Sequence, residues 1–282
     1  MLEFLKAVLF GIVEGITEWL PISSTGHMIL VDEFVKLNVS PEFWEMFLVV
    51  IQLGAILAVV LLFWNQIWPF ALSKKERGNG KGLMSFIKMD ILTLWFKILV
   101  ACVPAAVIGV LFDDVFDALF YNYYCVAIAL IVFGVAFIVV ENWNKGRNAK
   151  ITKLTEISYQ TALMIGVFQL IAAVFPGTSR SGATIVGALL IGVSRTVAAE
   201  FTFFLAIPVM FGASLLKLLK FGFAFTGLEL ALLLIGTVVS FVVSLFVLRF
   251  LMGYIKKHDF KVFGWYRIVL GIVVLAFFGL LH

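Results

Sequence analysis

Charge is what this chain has least of. Only 13% of its 282 residues are charged, against 63% hydrophobic, and the mean hydropathy is +1.12. One soluble core of this size cannot hide so much apolar surface, which excludes a water-soluble globular protein and points to an integral membrane protein. Cysteine is nearly absent. Cys102 and Cys125 fall inside apolar runs, where a thiol acts as a small apolar side chain, and two cysteines at that spacing make no metal or redox motif. Histidine is as scarce: His258 lies in a basic connection and His282 at the terminus, which leaves His27. The net charge of +4 comes without interleaved aromatic and basic residues, so nucleic acid is not an expected partner. The first apolar run carries Glu14 and Glu18 and no small-x-small pattern follows it, so it is expected to be retained structure and not a secretory signal.

Spanning a hydrocarbon layer of roughly 30 Å takes about 20 apolar residues as a helix. Six segments meet that length, about 43–64, 91–112, 119–140, 199–219, 227–250 and 262–281. Two further apolar regions, 1–37 and 160–193, are interrupted by Pro21 and by Pro176 with Gly177, and are too short to cross twice as full helices. They are expected to be re-entrant hairpins. Irregular backbone at membrane depth persists only where it is buried in protein or lines a wet cavity, so each break should face a polar site. Basic residues gather at 74–81, 145–153 and 256–261, acidic ones at 32–42 and 113–117. The positive-inside rule places the basic connections in the cytoplasm. The first hairpin then enters and leaves from outside, three spans follow, the second enters and leaves from inside, and three more spans end outside. The expected fold is an all-α polytopic membrane protein with six transmembrane helices plus two re-entrant helical hairpins in an inverted repeat. One half is 1–145 and the other 150–282, in a single membrane domain.

Residues 11–27 (GIVEGITEWLPISSTGH) and 166–182 (GVFQLIAAVFPGTSRSG) share a frame. A constant shift of 155 places Gly11 on Gly166, Ile16 on Ile171, Pro21 on Pro176 and Ser24 on Ser179, and sets Gln169 opposite Glu14. Inverted repeats whose discontinuous helices meet near the midplane build a polar site between two halves, with half-helix N-termini aimed at an anion. Here Ser23, Ser24 and Thr25, and Thr178 and Ser179, stand at N-cap positions just past each turn. Free backbone N–H groups with hydroxyls beside them form a cradle for phosphate or another oxyanion.

Several polar residues then stand where apolar ones belong. Arg180 sits in the second break, and a guanidinium at membrane depth costs at least about 2.5 kcal/mol to insert, so it requires an anion. A bidentate phosphate would serve; so would a salt bridge to Glu14 or Glu18 that ties the hairpins together, and the two are compatible. Glu14 and Glu18 are four apart on one helical face, where carboxylates repel unless they share a cation or a proton. An oxygen-only donor set beside phosphate suits Mg²⁺ or Ca²⁺ better than zinc. The alternative is one protonated glutamate hydrogen-bonded to the opposite hairpin. His27, one turn beyond Ser24 on the same face, is the expected acid–base group.

Glu14-x-x-x-Glu18 followed by Pro21-Ile-Ser-Ser-Thr-Gly-His27, and Pro176-Gly-Thr-Ser-Arg-Ser-Gly-Ala-Thr184, resemble the two signature motifs of the bacterial undecaprenyl-diphosphate phosphatases linked to bacitracin resistance. The resemblance runs through essentially the whole chain and takes in Ile51-Gln52-Leu53-Gly54, Gly192-Val-Ser-Arg195 and Glu200. It implies hydrolysis of undecaprenyl diphosphate to the monophosphate lipid carrier used in cell-wall synthesis, in the bacterial cytoplasmic membrane, with the active site facing outward.

On that implication Ser24 is the candidate nucleophile for the distal phosphorus, with Arg180 and the backbone N–H groups taking up charge. His27 would activate Ser24, protonate the leaving phosphate or activate water. Glu14 and Glu18 would hold a divalent cation or tune His27, while Ser23, Thr25, Ser179, Ser181 and Thr184 complete the phosphate cradle. Attack by metal-bound water, with the glutamates carrying the reaction, is the competing mechanism. A polyprenyl-phosphate transporter or flippase is the competing function, since it uses the same architecture. Gln52 and Glu45 either line the cavity or make structural hydrogen bonds, and Glu45 meets Glu200 at the 155-residue shift. Arg195 is a secondary candidate at a helix start. Lys97 is expected to snorkel to the headgroups, and Pro104 and Pro208 to kink their spans. The expected partners are a polyprenyl diphosphate and membrane lipids; a homodimer is open, with no motif that specifies it.

Overall fold

The computed structural model describes residues 1–71, 85–120 and 122–281. The basic stretch at 74–81 and His282 lie outside the described residues, as do the side chains of Asp113, Asp114 and Asp117. Among the described residues the chain forms twelve α-helices: α1 (Leu2–Thr17), α2 (Ser24–Phe34), α3 (Pro41–Val50), α4 (Gln52–Leu62), α5 (Trp64–Ile67), α6 (Met89–Phe120), α7 (Tyr123–Asn144), α8 (Tyr159–Val174), α9 (Arg180–Leu190), α10 (Arg195–Phe221), α11 (Gly227–Ile255) and α12 (Lys261–Leu281).

Among the described residues six segments are long and apolar enough to cross a bilayer: Pro41–Leu62, Met89–Gly109, Tyr123–Asn144, Arg195–Phe221, Gly227–Ile255 and Lys261–Leu280. The protein is therefore a multi-pass membrane protein. Local chemistry sets the helix ends. Ser40 caps α3 ahead of Pro41 at its first position, and Thr226 with Glu229 forms a capping box on α11. Two boundaries differ from expectation. No proline or glycine follows Gly109 for eleven residues, so α6 runs through the acidic stretch at 113–117 to Phe120. Asn122 then caps α7 by accepting from the Cys125 N–H, which moves the expected 119–140 span to Tyr123–Asn144 and draws Glu141 into the helix. The first span is interrupted at Ile51, between α3 and α4, where Gly54 N–H donates to the Ile51 carbonyl. Pro104 and Pro208 lie inside α6 and α10.

The remaining helices are short. α1 and α8 have 16 residues each, α2 and α9 have 11 each. At a rise of 1.5 Å per residue these reach about 24 Å and about 16 Å, less than the roughly 30 Å of hydrocarbon. α1 lies along α11 and α8 lies along α6, while α7 pairs with α12. α1 and α8 thus each pack on a long helix from the other half of the chain, an exchange compatible with an inverted duplication. Close approach depends on missing side chains. A Cβ on Gly11 would stand 2.7 Å from the Gly236 carbonyl, and one on Gly264 would stand 2.7 Å from the carbonyl of Gly134.

Polar contacts sort the ends of the bundle. Lys261 Nζ donates to Asn142 Oδ1 and Lys97 Nζ to the Thr155 carbonyl, so the basic connections at 145–153 and 256–261 gather on one side; Lys97, expected to snorkel to the headgroups, is instead buried and bonded within the protein. At the opposite side Lys6 Nζ donates to the Lys36 carbonyl and Asn38 N–H to Glu3. Between them α9 is the most enclosed element, with every residue from Ser181 to Leu189 buried. Trp19, in the first break, is fully buried and meets Phe203 of α10 edge-on at 5.3 Å.

Candidate active site

Both breaks end in the same cap. Ser23 and Ser179 adopt left-handed backbone, with φ of 74° and 69°, and each side chain accepts from the N–H three residues on, that of Gly26 or Gly182. A non-glycine residue in that region costs on the order of 1–3 kcal/mol and clusters at functional sites, where surrounding structure holds it. The two caps also correct the repeat. Ser23 matches Ser179, a spacing of 156 residues, so Ser24 does not pair with Ser179; Arg180 occupies its place at the first position of the helix. The second break takes up one more residue, and within it Gly177 turns through φ 87°.

Glu18, just past the end of α1, joins the two breaks. Its Oε2 accepts from Ser24 Oγ at 2.9 Å, its Oε1 accepts from Arg180 Nη2 at 2.8 Å, and its backbone carbonyl accepts from Ser181 Oγ at 3.2 Å. Arg180 also donates from Nη1 to the Thr202 carbonyl at 3.1 Å. The ion pair is mostly enclosed, with 13% and 8% of the two side chains exposed, so each charge depends on the other. The salt bridge foreseen for Arg180 is thus present, to Glu18. Around it Ser179 and Ser181 hydroxyls lie 3.1 Å apart, Thr202 Oγ1 donates to Thr184 Oγ1, and Thr184 Oγ1 donates back to the Arg180 carbonyl. A cavity of about 180 Å³ opens here, with Glu18, Ser24, Thr25, Gln52, Ser179 and Arg180 among its walls.

Glu14, one turn before Glu18, is 1% exposed and its Oε1 has no partner; both amide atoms of Gln169, its counterpart in α8, are likewise buried and unpaired. Among the described residues no group of three His, Cys, Asp or Glu side chains gathers in metal-binding geometry. A divalent cation would have the Glu14–Glu18 pair as its carboxylate donors, and Glu14 Oε1, which has no hydrogen-bond partner, fits that use.

His27 is not brought to Ser24. Its ring turns back on its own helix: Nδ1 lies 2.7 Å from the Ser23 carbonyl and Nε2 lies 2.7 Å from Tyr266 Oη, and the ring stacks on Tyr266 with an interplanar angle of 3°. A carbonyl only accepts, so Nδ1 carries the proton and Nε2 of the neutral ring accepts from the tyrosine hydroxyl. Ser24 finds its acceptor in Glu18 instead. Gln52 lines the cavity. The other secondary candidates stand elsewhere: Glu45 faces Lys217 at 3.5 Å, Glu200 does not line the cavity, and Arg195 grips Glu141 through Nε at 2.9 and 3.1 Å.

Arg267 is the residue that sequence reasoning passed over. It is fully buried in α12 and donates to the carbonyls of Pro21 (3.3 Å), Gly177 (3.1 Å) and Thr178 (2.8 Å), and to those of Ala129 and Leu130 in α7. Its guanidinium thereby ties the irregular backbone of both breaks to one point and satisfies carbonyls that have no helical partner. The insertion cost that singled out Arg180 applies equally to an arginine within the sixth span. Tyr266 is its neighbour in sequence and carried no signal of its own.

The family model described as bacitracin resistance protein BacA matches residues 7–273. A protein named undecaprenyl-diphosphatase from Desulfitobacterium hafniense is 68% identical, covering 99% of this chain and 97% of its own. Another of that name from Enterococcus faecalis is 65% identical over 97% and 96%. Undecaprenyl-diphosphatase 1 from Clostridium acetobutylicum is 64% identical over 98% of each.

Proposed function

The chain belongs to the bacitracin resistance protein BacA family, and on that premise we propose that it hydrolyses undecaprenyl diphosphate to undecaprenyl phosphate and inorganic phosphate. It does so in the bacterial cytoplasmic membrane, with the site reached from the outer side. The product is the carrier lipid of cell-wall synthesis, and faster recycling of the diphosphate form confers resistance to bacitracin.

The observation that carries the mechanism is the bond from Ser24 Oγ to Glu18 Oε2 at 2.9 Å, with the other carboxylate oxygen held by Arg180. A carboxylate that already accepts the hydroxyl proton is placed to take it as Oγ attacks. The Oγ–phosphorus bond forms at the distal phosphate and the bond to the bridging oxygen breaks. Polyprenyl phosphate leaves, and the Ser24 proton passes to Glu18. Water then attacks the phosphoserine and the Oγ–phosphorus bond breaks; the proton held on Glu18 returns Ser24 to the hydroxyl and restores the carboxylate, and inorganic phosphate departs with both protons of the water. Arg180, the cap hydroxyls and the first-turn N–H groups of α2 and α9 neutralise the phosphoryl oxygens. A cavity near 180 Å³ is smaller than the ~300–1,000 Å³ typical of whole-ligand pockets, so it takes the diphosphate head and leaves the polyprenyl chain in lipid.

Glu14 and Glu18 are the residues that would hold Mg²⁺ or Ca²⁺, which when bound supplies further charge neutralisation to the diphosphate. His27 holds the Ser23 cap, and so the direction of Ser24, through its bond to the Ser23 carbonyl.

The test is phosphate release from a long-chain polyprenyl diphosphate by the purified protein in detergent, where lipid transport has no meaning. Release by the wild type that falls to background in Ser24→Ala is expected. A well-folded wild type that releases no phosphate, with or without Mg²⁺ and Ca²⁺, would refute the phosphatase and make lipid flipping the activity to assay.

A further inference from the structure

A second cavity, about 670 Å³, lies at the opposite end of α9 from Arg180, beneath the junction with α10. The 11 residues of α9 separate the two by about 16 Å. The basic connections converge here: Arg147, Lys150, Arg195 and Lys256 all line the cavity, and the only carboxylate among its walls is that of Glu141. Glu141 is already engaged, by Arg195 and by the Phe260 N–H at 3.0 Å. Among the described residues no carboxylate forms an ion pair with Arg147, Lys150 or Lys256, although Glu200 lies within electrostatic reach of Lys256.

Two further features point the same way. Arg147 is held in place by stacking on Trp143, its guanidinium carbon 4.2 Å from the ring centroid. Ser194, the N-cap of α10, makes no side-chain cap bond and lines the cavity together with Thr196, so the start of α10 borders it. Apolar surface from Leu190, Ile255 and Trp143 forms the adjoining wall, at the level where the spans end.

We propose that this cavity is a binding site for a phosphate-bearing anion, separate from the diphosphate site. The shared chemistry is a phosphate group received beside a helix start by Arg147, Lys150 and Lys256, none of which forms an ion pair among the described residues. It is supplied either by the headgroup of an anionic phospholipid in the leaflet on the basic side or by free inorganic phosphate. The apolar wall suits the lipid. The inference does not depend on the phosphatase reading, and its test is a binding measurement.

The purified full chain is compared with Lys150→Gln/Lys256→Gln, which removes two lining cations. Lys145→Gln/Lys257→Gln removes the same charge from the same face at residues that do not line the cavity, and Arg147→Gln is an independent single variant. Native mass spectrometry reads retention of phosphatidylglycerol against phosphatidylcholine, and calorimetry reads inorganic phosphate. A headgroup site predicts phosphatidylglycerol binding weakened on the order of tenfold in the lining variants, unchanged in the control pair, and undisturbed by millimolar phosphate. Phosphate bound by wild type and lost in the lining variants, without preference between the lipids, assigns the same site to free phosphate. Equal binding of both probes by all four proteins, or equal loss in the lining and control pairs, would overturn the proposal.

Discussion

Replacing Glu18 by glutamine separates its two duties. The carboxylate accepts from Ser24 at 2.9 Å on one oxygen and from Arg180 at 2.8 Å on the other. An amide has one acceptor and one donor end. If its oxygen faces Ser24, the NH₂ meets the guanidinium; if its oxygen faces Arg180, Ser24 loses its acceptor. Either way no group remains that takes the Ser24 proton. General-base catalysis contributes about 10²–10⁴ in rate, which at 1.36 kcal/mol per decade is about 2.7–5.4 kcal/mol of barrier. Phosphate release at saturating polyprenyl diphosphate, with kcat and KM resolved, should show that loss in kcat for Glu18→Gln. Glu18→Asp keeps the charge but withdraws it by one methylene, and an intermediate loss is expected. A Glu18→Gln protein that is monodisperse and turns over within about threefold of wild type, against the 10²-fold minimum for a lost base, would refute the assignment, and His27 would be the next group to test.

Tyr266→Phe removes the hydroxyl that donates to His27 Nε2 while keeping the stacked ring; loss of one hydrogen bond, about 0.5–1.5 kcal/mol, should change kcat by less than about 15-fold, and a larger loss would place Nε2 in the chemistry. Arg267→Met leaves the carbonyls of Pro21, Gly177 and Thr178 buried without their donor. At about 1–3 kcal/mol each this costs at least about 3 kcal/mol, read as a lower thermal midpoint in detergent, and an unchanged midpoint would contradict the role given to the guanidinium. Stripping divalent cations should abolish phosphate release, with recovery on adding Mg²⁺ or Ca²⁺ and a weakened response in Glu14→Gln; full activity under chelation would remove the cation from the scheme.

Much of this was readable from composition and pattern. Six spans follow from apolar length alone, because a bilayer imposes one dimension on every crossing helix. The breaks at Pro21 and Pro176 stood out because polar residues and turn formers are costly at membrane depth unless they face a site. Helix ends were less legible: the side chain of Asn122 decided where α7 begins, and the absence of proline or glycine carried α6 through an acidic stretch.

What the linear chain determined by itself is therefore the solvent, the number of crossings, the two interruptions and the polar residues gathered in them. Tertiary structure alone decided which of those residues meet. Ser24 and Arg180 are far apart in sequence, and that they share opposite oxygens of Glu18 depends on two breaks arriving at one depth from different helices. The same holds for the one-residue difference between the halves, visible only in the left-handed caps at Ser23 and Ser179, and for the turn of His27 toward Tyr266. Arg267 reaches both breaks from the last span. Periodicity and composition report how each segment relates to its solvent, whereas a hydrogen bond between segments depends on side-chain direction and on a packing that no single segment contains.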